Sequence, residues 1–164
     1  MTQDIIDKLK EMNDNDLIGM YRVWLDELKA RGMIRTNNVI GELGEYLAIK
    51  YYKENPILPK LQAAPTGTQN IDAISINGDR YSIKSTTGKV TGVFYGLNEP
   101  DSKIEEKQRF EYVILVLFNK DITLNSIYEI TWENFLKHKR WHSRMRAWNL
   151  SVSKTFLEDC VKVF

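Results

Sequence analysis

The sequence predicts an α/β (α+β) protein, a mixed central β-sheet flanked by helices, with further helices at the N-terminus. Three observations predict it. Up to Lys53 the apolar residues recur at helical spacing, and from Lys60 to Thr87 they sit in short, partly alternating runs. Phe110–Phe118, F-E-Y-V-I-L-V-L-F, is then a nearly continuous apolar run, which fits a central strand covered on both faces better than a sheet edge. Helices before and after such strands stack on the sheet as layers. A chain of 164 residues, 43% of them hydrophobic, is expected to form one domain around one core. Its parts are N-terminal helices over 1–32, a core over 36–130, and a C-terminal basic helix and tail over 131–164.

In chain order, Ile5, Ile6, Leu9 and Met12 mark a first short helix. Asn13 to Asp16 offer N-caps for a second, Leu17 to Arg31, which Gly32 ends. Thr36 or Asn37 caps a third helix, Asn38 to Lys53, and Asn55-Pro56 terminates it. Gly41-x-x-Gly44 lies inside this helical pattern, so it reads as close packing and not as a phosphate loop. A short strand is expected near Lys60–Ala63, then a hairpin around Asn77-Gly78-Asp79. Gly88–Tyr95 could extend the sheet or form a loop, and Leu97–Gln108 is polar and irregular. After Phe110–Phe118, a turn at Asn119-Lys120-Asp121 leads into an alternating strand, Ile122–Ile130. Thr131 caps a helix over Trp132–Lys139. Leu150–Ser153 reads as a strand and Phe156–Phe164 as a helix capped by Thr155.

Composition narrows the function classes. No apolar run approaches the ~18 residues of a membrane span. The opening M-T-Q-D-I-I-D-K has acids where a signal peptide has its basic region, so a cytoplasmic location and no membrane partner are expected. Cys160 is the only cysteine, which excludes an internal disulfide and a cysteine-built zinc site. The net charge of +1 announces no polyanion partner, but charge is sorted along the chain. Lys137–Arg146, K-H-K-R-W-H-S-R-M-R, has five Lys/Arg, two histidines and no acid. There Arg140, Arg144 and Arg146 interleave with Trp141 and Trp148, a pattern suited to neutralising phosphates and stacking bases. His138 and His142 are four apart but have no third ligand nearby.

The chemistry-bearing stretch is Asn70–Thr87, N-I-D-A-I-S-I-N-G-D-R-Y-S-I-K-S-T-T. The hairpin brings Asp72 toward Ser82 and Lys84, and the preceding helix adds Glu42 and Glu45, three apart and so able to share one side. Magnesium takes oxygen ligands and keeps several waters, so two carboxylates and a weaker donor suffice to hold it. Asp72, with Glu42 or Glu45, would bind Mg2+ (or Mn2+), Ser82 or the Ile83 carbonyl would assist, and Lys84 would orient the water or stabilise charge. Ser85 and Thr86 offer hydroxyls to a phosphate beside the lysine. A two-residue turn at Asn77-Gly78 would set Asp72 opposite Ile83 and turn Lys84 to the other face. A three-residue turn, Asn77-Gly78-Asp79, or a bulge would pair Asp72 with Lys84 and put Ser82 on their face.

These residues resemble the PD-(D/E)xK restriction-endonuclease-like superfamily: a helix with Gly-Glu, an aspartate opening a hairpin, and x-x-Lys on the return strand. The strings R-G-M-I-R-T-N-N-x-x-G-E-L-G-E-Y-L-A and I-D-A-I-x-x-N-G-D-R-Y-S-I-K are similar to small restriction-endonuclease-like proteins of bacteria. The likeness spans roughly Arg31 to Phe118. It matches Asp72 to the first acid, Lys84 to the lysine, and Glu45 or Glu42 to the helix acid. Ile71 stands where the motif has proline, and Ser82 where it has Asp or Glu. What the resemblance implies is a Mg2+- or Mn2+-dependent endodeoxyribonuclease acting on DNA, a homodimer if both strands of a duplex are cut. The rivals are a DNA-binding module with the same fold and a degenerate site, and a protein-interaction subunit.

Overall fold

The structure, a computed structural model, describes residues 2–164. It opens with two helices, α1 (Gln3–Glu11) and α2 (Asp14–Ala30). The Asn13 side chain caps α2 by accepting the Asp16 N–H at 3.0 Å, and the chain leaves the helix at Gly32 with φ +67°. Helix α3 (Val39–Glu54) starts at Asn38, whose side chain accepts from the Gly41 N–H, and ends at Asn55 ahead of Pro56.

Strands β1 (Leu61–Ala63), β2 (Ala73–Ser75), β3 (Arg80–Thr86), β4 (Tyr112–Phe118) and β5 (Leu124–Thr131) follow. The chain finishes with α4 (Trp132–His138), the β6 (Arg140–His142) and β7 (Ala147–Asn149) hairpin, α5 (Lys154–Glu158) and β8 (Val161–Lys162). The main sheet has six strands in the order β1-β2-β3-β4-β5-β8. Its neighbours are antiparallel except β3 and β4, which are parallel. The fold is therefore α+β with a mixed sheet, as the sequence predicts.

The apolar run of β4 is buried on both faces, and this accounts for its composition. Ile114 and Val116 meet Tyr81 and Ile83 of β3 and Leu43, Ala48 and Tyr52 of α3. Val113 and Leu115 look the other way, into Phe94, Phe110, Trp132, Phe135 and Phe156. A parallel pair needs a long crossover, usually a helix. Here residues 87–111 cross with no regular element, pinned by backbone bridges from Val90 to Ser151 and from Phe94 to Trp148. Phe94 and Phe110 take the place of a helix's apolar face, with ring centroids 4.7 Å and 5.2 Å from Phe135. Arg80 closes the crossover by gripping Glu111 with two side-chain bonds of 3.0 and 2.6 Å.

The C-terminal part departs from expectation. The basic run is no helix. After α4 it forms the β6–β7 hairpin, with Trp141 and Trp148 paired across the strands at 5.2 Å between centroids. Arg140–His142 and Ala147–Asn149 are the strands, and residues 143–146 form the turn between them, with Arg146 at φ +47°. His138 and His142 thus sit on different elements, and His138 bonds Asp159 at 2.6 Å. The expected strand over Leu150–Ser153 is an irregular connection, anchored by Ser151 on Val90. The last helix is short, capped by the Ser153 side chain, and the chain end adds β8 to the sheet edge. Among the described residues no helix is long and apolar enough to cross a membrane.

Glu129 of β5 is half-buried and accepts the Tyr52 hydroxyl at 2.7 Å. Burial pushes its pKa up, against the pull of that hydrogen bond. A raised folded-state pKa means that the stabilisation is present at low pH and is lost as pH rises through that value. Glu129→Gln keeps an acceptor for Tyr52 and removes the buried charge. Calorimetry should find its Tm at neutral pH equal to or above the parent's, with the parent's decline above about pH 4.5 flattened. A clear drop in Tm at neutral pH would show that the carboxylate itself is needed.

Candidate active site

The hairpin register decides which residues can meet. Ala73 pairs with Tyr81 and Ile74 with Arg80, and the Ser75 N–H donates to the Asp79 carbonyl at 2.8 Å. The loop is therefore Ile76-Asn77-Gly78, with Gly78 at φ +90°. This is neither of the two turns considered from the sequence, yet it serves the same end. Asp72 comes to lie across from Ser82, and Lys84, two residues on, shares the face of Ser82. At the mouth of the hairpin one Asp72 oxygen, Oδ2, accepts the Ile83 N–H at 2.6 Å and the Ser82 hydroxyl at 3.2 Å. The carboxylate thus replaces the backbone carbonyl that a longer β2 would have supplied, and Oδ1 is the oxygen left for another partner.

Ser82 is fully buried (0% exposed), so its hydroxyl orients Asp72 from below. Lys84 lies over the Phe94 ring, its ammonium 5.1 Å from the centroid. Such contacts hold a cation in place without neutralising it.

The two helix acids have opposite fates. Glu42 is 9% exposed and its carboxylate accepts the backbone N–H of Arg35, the N–H of Thr36 at 3.0 Å and the Thr36 hydroxyl at 2.7 Å. Burial alone would raise its pKa, but these donors together hold it below the ordinary value of 4.5. It ties down the loop between α2 and α3. Glu45 is one turn further on and makes one ion pair, Oε2 to Arg35 Nη2 at 3.3 Å. Its pKa is pushed up by burial and by the charge of Asp72, against the pull of Arg35 and Lys84. Glu45 is therefore the helix acid within the field of both Asp72 and Lys84.

Asp72, Glu42 and Glu45 line one groove of about 540 Å³, walled by α3 on one side and by residues 63–68 on the other, with Met33–Arg35 at its end. This size lies in the range of ligand sites. Lys50 and Lys53 of α3 continue along it. Sequence reasoning gave no role to Arg35, Lys50, Lys53 or the Pro65–Thr68 loop. Arg35 stands in the string that carries the resemblance, and the two lysines fall at the helical spacing of Glu42 and Glu45, which was the available signal.

Of the expected DNA-contacting residues, two are occupied within the chain. Ser85 Oγ donates to the Ile40 carbonyl at 2.9 Å, and Thr86 Oγ1 donates to the Val90 carbonyl at 2.9 Å while accepting the Gly88 N–H. Arg140 and Arg144 are exposed on the β6–β7 hairpin, and Arg146, also exposed, pairs with Glu99. The hairpin is joined to the crossover beside Lys84, since the Phe94 N–H donates to the Trp148 carbonyl at 2.7 Å. Among the described residues no three His, Cys, Asp or Glu side chains stand close enough to hold a metal ion by themselves. The carboxylate set offered here is the pair Asp72 and Glu45, fewer than zinc takes from protein but enough for a hydrated Mg2+ or Mn2+ ion.

Opposite roles for the two glutamates make opposite stability predictions. Glu42→Ala strands two backbone N–H groups and should lower the unfolding free energy by about 2 kcal/mol. Glu45→Gln removes a carboxylate disfavoured by burial and by Asp72, and should leave stability unchanged or higher. Urea denaturation at neutral pH measures both, and an equal loss in the two variants would contradict the division of labour.

No protein-family model and no curated protein sequence matches this chain.

Proposed function

We propose that this chain is a metal-dependent DNA phosphodiester hydrolase with a restriction-endonuclease-like fold. The observation that carries the reading is that Asp72 and Glu45 line one groove, where the charge of Asp72 disfavours ionisation of Glu45 and that of Lys84 favours it. Two facing carboxylates repel, and a divalent cation between them turns the repulsion into binding. Asp72 would hold the cation through Oδ1 and Glu45 through its carboxylate, with waters and a phosphate oxygen completing the shell. Bound there, Mg2+ or Mn2+ supplies charge neutralisation at the phosphate and a more acidic attacking water. Lys84 steadies the negative charge that develops on the phosphate. Ser82 is a positioning residue that aims Asp72. The exposed arginines of the β6–β7 hairpin, next to Lys84 through Phe94, are suited to the flanking phosphates. Two chains related by a two-fold axis would address the two strands of a duplex.

The second reading, a DNA-binding module that does not cut, is favoured by one observation. β3 carries the neutral, fully buried Ser82 two residues before Lys84, so it presents no carboxylate of its own to the groove.

Cation binding and cutting are measured separately. Mg2+ or Mn2+ at ten times its Kd should stabilise the parent by about 1.4 kcal/mol, seen as a raised Tm, and should leave Asp72→Ala unmoved. Supercoiled plasmid should be nicked or linearised by the parent and not by Asp72→Ala or Lys84→Ala. A Tm shift with no cutting moves the assignment to the binding module, and neither effect removes the metal site.

Arg140→Ala with Arg144→Ala should weaken DNA binding and reduce its salt dependence by roughly two in slope, about one per lost phosphate contact. An unchanged slope in a filter-binding or anisotropy titration takes the hairpin out of the interface.

A further inference from the structure

The first two helices are nearly unpacked. α1 has no buried residue and α2 has two, Leu25 and Leu28. Leu17, Tyr21, Trp24 and Leu28 are spaced four, three and four apart, the seam by which one helix packs on another, and Ile18 and Leu25 flank it. The stripe is continuous in sequence and divided in space. At its C-terminal end Leu25 and Leu28 are 8% exposed and join the core under α3. At its N-terminal end Leu17 is 47% exposed, Ile18 73%, Tyr21 60% and Trp24 40%. The apolar face therefore runs off the body of the protein and continues into solvent.

The whole chain carries the same imbalance. Its accessible surface is 10635 Å², whereas a folded monomer of 19.2 kDa exposes about 8,400 Å² by the general scaling of surface with mass. The excess, roughly 2,200 Å², matches the ~1,000–2,500 Å² that one subunit covers in an obligate homodimer. An exposed seam of two aromatics and two aliphatics, contiguous on one helix face, is the kind of patch that marks an interaction surface. The charge of this arm excludes a nucleic acid as the cover, since acids outnumber bases seven to five over residues 2–31. Both signs are interspersed along it, so an identical arm meets no strong field of its own sign.

We infer that the exposed half of the α2 stripe is a homodimer interface, occupied by the same stripe of a second copy of this chain. A two-fold pairing places Ile18, Tyr21 and Trp24 against their own equivalents and closes the surface, so that assembly stops at two. The inference does not depend on the nuclease reading, because it uses none of the groove residues.

Light scattering of the full chain at micromolar concentration tests it. The parent should have twice the mass of one chain and a Tm that rises with protein concentration. Ile18→Glu with Tyr21→Glu should give a monomer of unchanged helical circular dichroism, or an unfolded chain if the dimer is obligate. Ile104→Glu, equally exposed and outside the arm, should remain a dimer. A parent that is monomeric with a concentration-independent Tm overturns the inference and leaves the stripe to a different protein. A dimer that persists in the double variant overturns it as well. A dimer that fails to cut DNA leaves it standing and removes the nuclease reading alone.

Discussion

Helix α3 reaches the sheet only because position 44 is glycine. A Cβ at Gly44 would overlap the Ser85 side chain of β3, and Ser85 in turn donates its hydroxyl to the Ile40 carbonyl in the first turn of α3. This contact sets the height of the helix above the strand, and the candidate site inherits it. Glu45 follows Gly44 directly, so lifting the helix by one methyl group would carry Glu45 away from Asp72. Ser85 was read from the sequence as a phosphate contact beside Lys84, and its hydroxyl is spent on this packing. The reading of Gly41-x-x-Gly44 as close packing agrees with what a Cβ at Gly44 would meet, whereas a Cβ at Gly41 would meet the Asn38 side chain that caps the helix.

From that position, the difference between Glu42 and Glu45 is a matter of which donors surround them. Glu42 faces the loop that enters α3, where backbone N–H groups have no other partner, and they hold it ionised. Glu45 faces the groove, where its strongest neighbours are burial and another acid. Spacing along a helix could not separate the two, since three residues apart leaves both on one side. The loop made the choice, through the bonds of Arg35 and Thr36 to Glu42. Arg35 then contributes a second time, its side chain reaching Glu45 and keeping that carboxylate from being wholly unopposed.

The parts of the fold that could be read in advance are those whose signal is local. Caps at Asn13 and Thr131, the break at Asn55-Pro56, Gly78 in the hairpin and the double-faced burial of β4 all follow from residues a few positions apart. The hairpin register escaped because Asn77-Gly78 permits more than one loop length, and Ser75 settles it by holding the Asp79 N–H on its own hydroxyl at 3.1 Å. The crossover escaped because what covers the sheet there is Phe94 and Phe110, two rings without periodicity. The basic segment was read by its charge, which hid the pairing of Trp141 with Trp148 across a hairpin. Of the site, Asp72, Lys84 and the helix acids were visible as residue types in the right order. That Ser82 would be buried under Asp72 depends on the bulk of the crossover packed against β3, which no short motif encodes.

The same covering of the sheet explains why the N-terminal helices lie outside the core. One face is taken by α3 and the other by the aromatic cluster of Phe94, Phe110, Trp132 and Phe135. With both faces covered, α2 adds only Leu25 and Leu28 to the buried cluster beneath α3. α2 is nevertheless built with an apolar stripe twice that length, capped at Asn13 and free of helix-breaking residues except Gly19. A monomer gains nothing from the outer half of that stripe, because hydrophobic stabilisation scales with area removed from water. Its composition is accounted for only when something beyond this one core covers it.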